Sequence, residues 1–215
     1  MAVANPFSGL PQEEIRRLIA VARRRRFGRN EVVFHRDDPA DTLHLIARGR
    51  FAVRVTTQLG ETVIVAVHGP GEAFGELALV EEGVSRSTSV VALEPAETYA
   101  VGREDFTRLR RQYPAVNEVL VLLLARRLRR QSELLVEALF VTAESRVLRR
   151  ICELAALYGD EIPLTQEDVA GLAGTSRATV NRVLRAEARR GTVELRRGRT
   201  RVLDGAALAK RAGGS

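Results

Sequence analysis

Cysteine is almost missing from this 215-residue sequence, with Cys152 standing alone. One thiol cannot close an internal disulfide, and by itself it cannot hold an iron–sulfur cluster or a zinc ion. Cys152 therefore reads as a small buried side chain on a helix. Long apolar runs are missing too. The longest, Val119 to Ala125, is far too short to cross a bilayer. The opening, MAVANPFSGLPQEE, has no basic head followed by an apolar stretch. No signal peptide is expected, and the chain is expected to stay in the cytoplasm, away from membranes. No nucleophile–base pair or metal cluster has usable spacing, which argues against an enzyme. Lysine is nearly absent, Lys210 being the only one; a coding preference for arginine explains that without invoking function.

The chain is long enough for one or two domains with a real core. Its 45% hydrophobic and 28% charged residues are ordinary for a globular protein. The net charge of +7 is unevenly spread. Residues 141–215 hold 14 Lys+Arg against 9 Asp+Glu, and residues 1–140 hold 20 against 18. The last third is thus the better candidate for contact with an anionic polymer, although a solvated basic face has the same charge.

Four zones follow one another. Leu10 to Phe27 reads as helix: Ile15, Leu18, Ile19 and Ala22 share a face, and Pro11 suits a first turn. Within it Arg23–Arg26 reads as a solvated helix end. From Gly28 to about Phe106 the period changes to two. Phe51, Val53 and Val55 alternate with Ala52, Arg54 and Thr56, and Thr62–Val67 follows a hairpin turn at Gln58-Leu59-Gly60-Glu61. Glycines and prolines punctuate these short segments, the mark of an antiparallel barrel or roll. The histidines in this zone, His35, His44 and His68, read as strand or turn residues.

Pro114 to Phe140 reads as one long helix. Val121, Leu124, Leu128, Gln131, Leu135 and Ala138 form a seam with coiled-coil spacing, and Arg126, Arg127, Arg129 and Arg130 lie off it. The seam packs either on a second copy or on the chain's own barrel; the spacing favours a homodimer. Gln131 is its polar exception, suited to setting register or meeting something polar. The last zone opens with a helix from Ala143 to Leu157, ended by Tyr158-Gly159-Asp160. Two short helices follow, then a hairpin of Val193–Leu195 and Arg201–Leu203, and a loose tail at Ala212-Gly213-Gly214-Ser215.

The strongest local pattern is Leu164 to Leu184. Thr165 with Asp168 makes a capping box, Ala170 is small where two helices cross, Gly174 suits a tight turn, and Ser176 caps a second helix. Burying Val180, Val183 and Leu184 turns Arg177, Ala178, Asn181 and Arg182 outward. Arginine can donate two bonds to guanine O6 and N7, and first-turn residues of such helices reach base edges. Ser176 and Thr179 can donate to phosphates. The wing from Arg196 to Arg201, with Arg197 and Arg199, can grip the backbone. Thr165 and Gln166 complete the candidate DNA set. The alternative is an ordinary pair of packed helices with solvated arginines.

The second pattern is Gly71-Glu72-Ala73-Phe74-Gly75-Glu76-Leu77-Ala78-Leu79 followed by Ser85-Arg86-Ser87-Thr88. A glycine turn opening a helical turn offers backbone N–H groups to an anion. Arg86 and Ser87 suit a phosphate, and Glu76 suits a sugar hydroxyl. The alternative is a barrel turn with a surface Glu–Arg pair.

Together these segments, in this order and at this distance, resemble the cyclic-AMP receptor protein and fumarate–nitrate regulator (CRP/FNR) family of bacterial transcription regulators. The likeness runs from Asn5-Pro6-Phe7-Ser8-Gly9-Leu10 through the wing. It implies an α+β chain with three parts: a jelly-roll-like cyclic-nucleotide β-roll over residues 1–113, a long dimerisation helix over 114–140, and a winged helix-turn-helix over 141–215. It implies a ligand set of Gly75, Glu76, Leu77, Ala78, Arg86, Ser87, Gln131 and Ser132. In the family the glutamate holds the ribose 2′-hydroxyl, the arginine and serine hold the cyclic phosphate, and the two helix residues reach the purine. No cofactor is obligatory, and the effector it points to is cyclic AMP or another cyclic nucleotide. The implied partners are a near-palindromic double-stranded DNA operator, a second copy and RNA polymerase, and the implied action is activation. The ligand would shift the dimer between two arrangements about a hinge near Phe140–Ala143. Three residues depart from the pattern. Gln131 stands where the cyclic-AMP receptor has threonine, Ala178 where the family often has glutamate, and Asp37 where it usually has glycine.

Overall fold

The computed structural model describes residues 7, 9–56 and 62–213. The hairpin turn expected at Gln58–Glu61, most of the opening segment and Gly214-Ser215 lie outside the described residues. The chain divides into two compact units. One runs through residue 55 and over Ala66–Arg130; the other comprises Thr56–Val65 and everything from Gln131 onward.

Two four-stranded sheets come first in the chain. One is ordered β1 (Arg23–Phe27), β8 (Ala96–Gly102), β3 (Thr42–Arg48), β6 (Ala73–Phe74). The other is ordered β2 (Val32–Phe34), β7 (Ser89–Ala92), β4 (Phe51–Thr56), β5 (Thr62–His68). Strand period two divides β3 between two cores. Leu43 and Leu45 join Phe7, Leu18, Val101, Phe106 and Val119 beneath the helices. Ile46 and His44 face the barrel interior, where Phe27 meets Phe51 edge to face at 5.6 Å and 86° and Phe51 meets Phe74 at 5.1 Å and 54°.

The expected helix over Leu10–Phe27 is shorter. Helix α1 spans Gln12–Val21, and Arg23–Arg26 forms edge strand β1 rather than a helix end. Four successive arginines leave no apolar stripe for a helix to bury. As a strand they place Phe27 in the core and set Arg26 opposite Glu97. Glu97 also accepts from Arg24, at 2.6 and 2.7 Å, so its carboxyl sits below the usual range. Helix α3 (Arg103–Gln112), which the strand-like pattern concealed, follows β8. Arg103 ties it down by donating to the carbonyls of Ala78 (2.6 Å) and Ala40 (2.8 Å).

Asp37 has φ +70°, a conformation that glycine adopts freely and Asp tolerates at some cost. This accounts for the departure at that position: the turn needs a left-handed residue. Its N–H donates to the Arg86 carbonyl at 2.9 Å, and the Arg86 N–H donates to the Asp38 carbonyl at 2.8 Å. The turn therefore holds the backbone of Arg86 on both sides. Asp37→Gly is expected to stabilise the fold by about 0.5–1 kcal/mol in urea unfolding. An unchanged or lower midpoint would show that Asp37 contributes something beyond its φ.

Helix α4 (Val116–Phe140) is two-faced. Val116 and Val119 are buried, and Leu120, Leu122 and Leu123 pack beside them on the first unit's core. The seam residues Val121, Leu128 and Leu135 are 61%, 70% and 61% exposed. Within the first unit, Val121 and Leu128 thus lie away from the face that packs on that unit's core.

In the second unit α5 (Ala143–Tyr158) is capped by Thr142, whose side chain accepts from the Ser145 N–H, and it ends at Gly159 with φ +81°. Around it lie α6 (Gln166–Ala173), α7 (Arg177–Arg189) and a three-stranded sheet ordered β10 (Val193–Arg196), β11 (Arg199–Val202), β9 (Glu161–Ile162). Val147, Ile151, Ile162, Val180 and Leu184 are its dry centre. Arg146 staples α5 to the turn between α6 and α7, donating to the Ala173 carbonyl at 2.9 Å and the Gly174 carbonyl at 3.0 Å. Those helix-end carbonyls have no intrahelical partner, so the staple satisfies them. The tail expected to be loose at Ala212 is instead the end of α8 (Gly205–Gly213). Ala212 is buried, and its carbonyl accepts from Arg149 at 3.0 Å. Cys152 is half-buried rather than buried, and burial raises its thiol pKa.

Candidate functional site

In the first unit the glycine turn and the arginine meet. Gly75 has φ +81°, and a side-chain carbon there would lie 2.6 Å from Arg86 Nη1 and 2.7 Å from the Thr42 carbonyl oxygen. Only glycine lets the chain pass so close to the guanidinium. Glu76 is buried and opens α2 (Leu77–Val80). Ala78 is buried, while Leu77 and Ser87 are exposed. The N–H groups of Ala78 and Leu79 are taken by the carbonyls of Gly75 and Glu76.

Arg86 is only 6% exposed. Nη1 donates to the Thr42 carbonyl at 2.9 Å and Nη2 to Thr42 Oγ1 at 2.8 Å, while Asp41 Oδ1 stands 3.6 Å away. The Phe34 ring centre lies 4.1 Å from its Cζ. Burial lowers its pKa, and Asp41, Asp38 and Glu76 oppose that shift. Nε is buried with no hydrogen-bond partner among the described residues. A buried donor left unmade is costly, and a phosphate oxygen has the charge and geometry to satisfy it.

The Glu76 carboxylate is engaged by Arg127, whose Nη1 lies 3.2 Å from Oε1 and 3.3 Å from Oε2. The seam spacing shows only that Arg127 lies off the seam; nothing in the local sequence pairs it with a residue 51 positions earlier. Gln131 and Ser132 are exposed on α4 and belong to the second unit. A cleft of about 840 Å³ beside α2 and α3 is lined by Leu79, Val80, Arg103, Thr107 and Arg111; neither Glu76 nor Arg86 borders it.

In the second unit the capping box is present. Thr165 Oγ1 accepts from the Asp168 N–H at 3.2 Å, and Asp168 Oδ2 accepts from the Thr165 N–H at 2.9 Å. The Thr165 hydroxyl proton goes to Asp168 Oδ2 at 2.7 Å, which makes this threonine a cap with its donor already used. Gly174 is left-handed at φ +59°, and Ser176 caps α7 by accepting from the Thr179 N–H at 3.2 Å. Ser176 and Thr179 share a hydroxyl contact of 3.1 Å.

Arg177, Ala178 and Arg182 are exposed on α7. Asn181 is half-buried and donates through Nδ2 to Gln166 Oε1 at 2.9 Å, so these two amides present one joined polar edge. Arg185 extends the exposed row by another turn. The helical period makes it visible in sequence, on the same face as Ala178 and Arg182. On the wing, Gly198 turns at φ +71°, Arg197 is exposed, and Arg199 pairs with Glu161 at 2.9 Å.

These two sites can be set beside known proteins. The family described as "Cyclic nucleotide-binding domain" matches residues 24–113, and that described as "Crp-like helix-turn-helix domain" matches 145–211. The "Cyclic AMP receptor protein" of Thermus thermophilus is 38% identical over 204 residues, 94% of each chain. The chain belongs to the CRP/FNR family.

Further relatives of the family are similar over nearly the full length. The "CRP-like cAMP-activated global transcriptional regulator" of Mycobacterium tuberculosis is 30% identical over 220 residues, 99% of this chain and 98% of that one. The crystal structure of Thermus thermophilus Catabolite Activator Protein superposes with a TM-score of 0.54 at 37% identity, covering 97% of this chain and 98% of that one. A Xanthomonas campestris regulator described as c-di-GMP responsive shares the fold, with a TM-score of 0.76 at 21% identity, covering 89% and 99%. Family members are transcription regulators, not enzymes, and this chain carries both of their hallmarks, a cyclic-nucleotide-binding domain and a DNA-binding helix-turn-helix. No described helix is long and apolar enough to cross a membrane.

Proposed function

We propose that this chain is a cyclic-AMP-dependent homodimeric activator that binds a near-palindromic operator and recruits RNA polymerase. Residues 1–113 sense the nucleotide, 114–140 pair two copies, and 141–215 read DNA. One observation carries the sensor half: Arg86, sealed in the fold against Gly75, keeps an unsatisfied Nε. The nucleotide phosphate takes that donor together with Ser87, and Glu76 takes a ribose hydroxyl. The family likeness assigns Gln131 and Ser132 to the purine. The names of the relatives from Thermus and Mycobacterium support cyclic AMP as the effector.

The reader half uses Arg177 and Arg182 on base edges, with Gln166, Ser176, Thr179 and Asn181 nearby and Arg197 and Arg199 on the backbone. The exposed seam of Val121 and Leu135 supports the dimer. Leu135→Glu would bury two like charges across a two-fold axis. It is expected to weaken self-association by at least about tenfold, read by sedimentation across a dilution series. A dimer of unchanged affinity would move the interface elsewhere.

The ligand acts only through its differential affinity for two dimer arrangements, one of which sets both α7 helices a DNA turn apart. A different nucleotide effector is the second reading, favoured by Gln131 standing in place of threonine at the purine end. The deciding experiment is a calorimetric titration of the full chain with cyclic AMP, cyclic GMP and cyclic dinucleotides, repeated with operator DNA. Tight binding of cyclic AMP that strengthens on DNA supports the proposal. A cyclic dinucleotide doing so instead supports the second reading, and no heat from any of them removes the sensor role.

A further inference from the structure

His44 lies inside the barrel, 2% exposed, on the same face of β3 as Thr42. Its ring stacks on Phe74 at 5.0 Å and 10°. Nδ1 is 3.0 Å from Thr98 Oγ1, and Nε2 is 3.4 Å from Thr42 Oγ1. Thr42 is also the residue that holds both Nη atoms of Arg86. Phe34 completes the assembly, with its ring 6.1 Å from that of His44 and 4.1 Å from the Arg86 Cζ. The nearest neighbours of the sensor arginine thus stand directly on a buried imidazole.

A count of protons orders these contacts. A hydroxyl has one proton and two lone pairs. One lone pair of Thr42 Oγ1 takes the Arg86 Nη2–H. Asp41 Oδ1, 3.1 Å away, accepts the Thr42 proton. The remaining lone pair is left for His44 Nε2–H, which in turn requires Nδ1 to accept from the Thr98 hydroxyl. Burial, followed by the charges of Arg86 and Arg25, pushes the imidazole down to about 3. It is therefore neutral near pH 7, as a one-proton ring must be to donate at one nitrogen and accept at the other.

We propose that His44 is a positioning residue for the sensor guanidinium, acting through the Thr42 hydroxyl to fix the plane of the fork by one N–H of each Nη atom, with Nε–H turned toward a nucleotide phosphate. This rests on the reading of Arg86 as the phosphate-binding residue. A histidine that only fills the core would leave Arg86 unaffected when replaced by another ring.

The test uses the full chain with Thr42→Val, His44→Phe and the double variant, and with Thr42→Ser and His44→Gln as conservative controls. The first readout needs no ligand: the side-chain ¹⁵N resonances of Arg86 in the free protein. Slow rotation of the guanidinium is expected in wild type and in both controls, and fast rotation in Thr42→Val and His44→Phe. The second is calorimetric affinity for cyclic AMP. Thr42→Val and His44→Phe are each expected to lose about tenfold, the effect of a hydrogen bond on a charged group, and the two controls to stay near wild type. The double variant is expected to lose no more than Thr42→Val alone, because both act on one path.

Arg86 resonances and affinity that stay at wild-type values in folded His44→Phe overturn the proposal, as do losses that multiply in the double variant. If His44→Phe does not fold, Thr42→Val against Thr42→Ser and His44→Gln decides it by the same two readouts. If wild type binds no cyclic nucleotide, the functional reading fails separately. The Arg86 resonances then support or overturn the positioning role on their own.

Discussion

Arg86→Ala is expected to weaken cyclic AMP binding by about 2–5 kcal/mol, which is about thirtyfold to a few thousandfold. The range follows from what the arginine does. It is a buried cation with a planar fork, two of whose nitrogens are fixed by Thr42 while the third has no partner among the described residues. Removing it leaves a buried phosphate with no countercharge. The free protein behaves differently. A buried charge carries a desolvation cost and an unmade bond carries another, so removing Arg86 also removes two unfavourable terms. The expected result is a large loss of affinity with little loss of thermal stability in the absence of ligand. Arg86→Lys should recover only part of the affinity, since an ammonium keeps the charge and loses the fork. Calorimetry on the three proteins, with unfolding curves in parallel, checks both halves. Equal heats for wild type and Arg86→Ala would reject this site, and a collapse in stability would make Arg86 a structural residue.

Why some of this was legible in the sequence and some was not has a physical answer. The capping box of Thr165 and Asp168, the left-handed Gly174 and the buried Val180, Val183 and Leu184 act within one or two helical turns, so their spacing contains the whole interaction. The same holds for the turn from Gly75 into α2. The misread pieces are those whose partners lie far along the chain. Arg23–Arg26 has no apolar period of its own, and pairing with β8, more than 70 residues on, makes it a strand. Helix α8 buries Leu208 and Ala212 and is held by Arg149, 63 residues back, and by its own Arg211 on Glu187. His44 reads as a plain strand residue because Thr98, 54 residues later, is its closest hydrogen-bond partner. Asp37 is a different case: its departure from glycine was visible, but only its φ gives the reason. The heptad pattern sets Arg127 off the seam, and only the fold shows its engagement with Glu76.

Arg177→Ala is expected to show the largest effect in the reader half, because a two-fold symmetric dimer carries the change twice. One bidentate arginine–guanine contact is worth about 1–3 kcal/mol of discrimination, so a dimer engaging both half-sites stands to lose about 2–6 kcal/mol on its operator. Arg177 is the first residue of α7, behind the Ser176 cap, and it is exposed with no ion pair among the described residues. Its removal should therefore leave stability within about 0.5 kcal/mol. Arg197 on the wing provides the contrast. As a phosphate contact, Arg197→Ala should weaken every DNA sequence alike and lower the slope of log affinity against log salt by about one per site. The two variants are separated by measuring binding to the operator, to an operator with the relevant guanine replaced, and to unrelated DNA at several salt concentrations. Loss confined to the operator and abolished by the base change assigns Arg177 to a base edge. Equal loss on all three DNAs assigns it to the backbone and returns the reading of sequence to Arg182 and the Asn181–Gln166 amide pair, which already presents a shared donor and acceptor beside it.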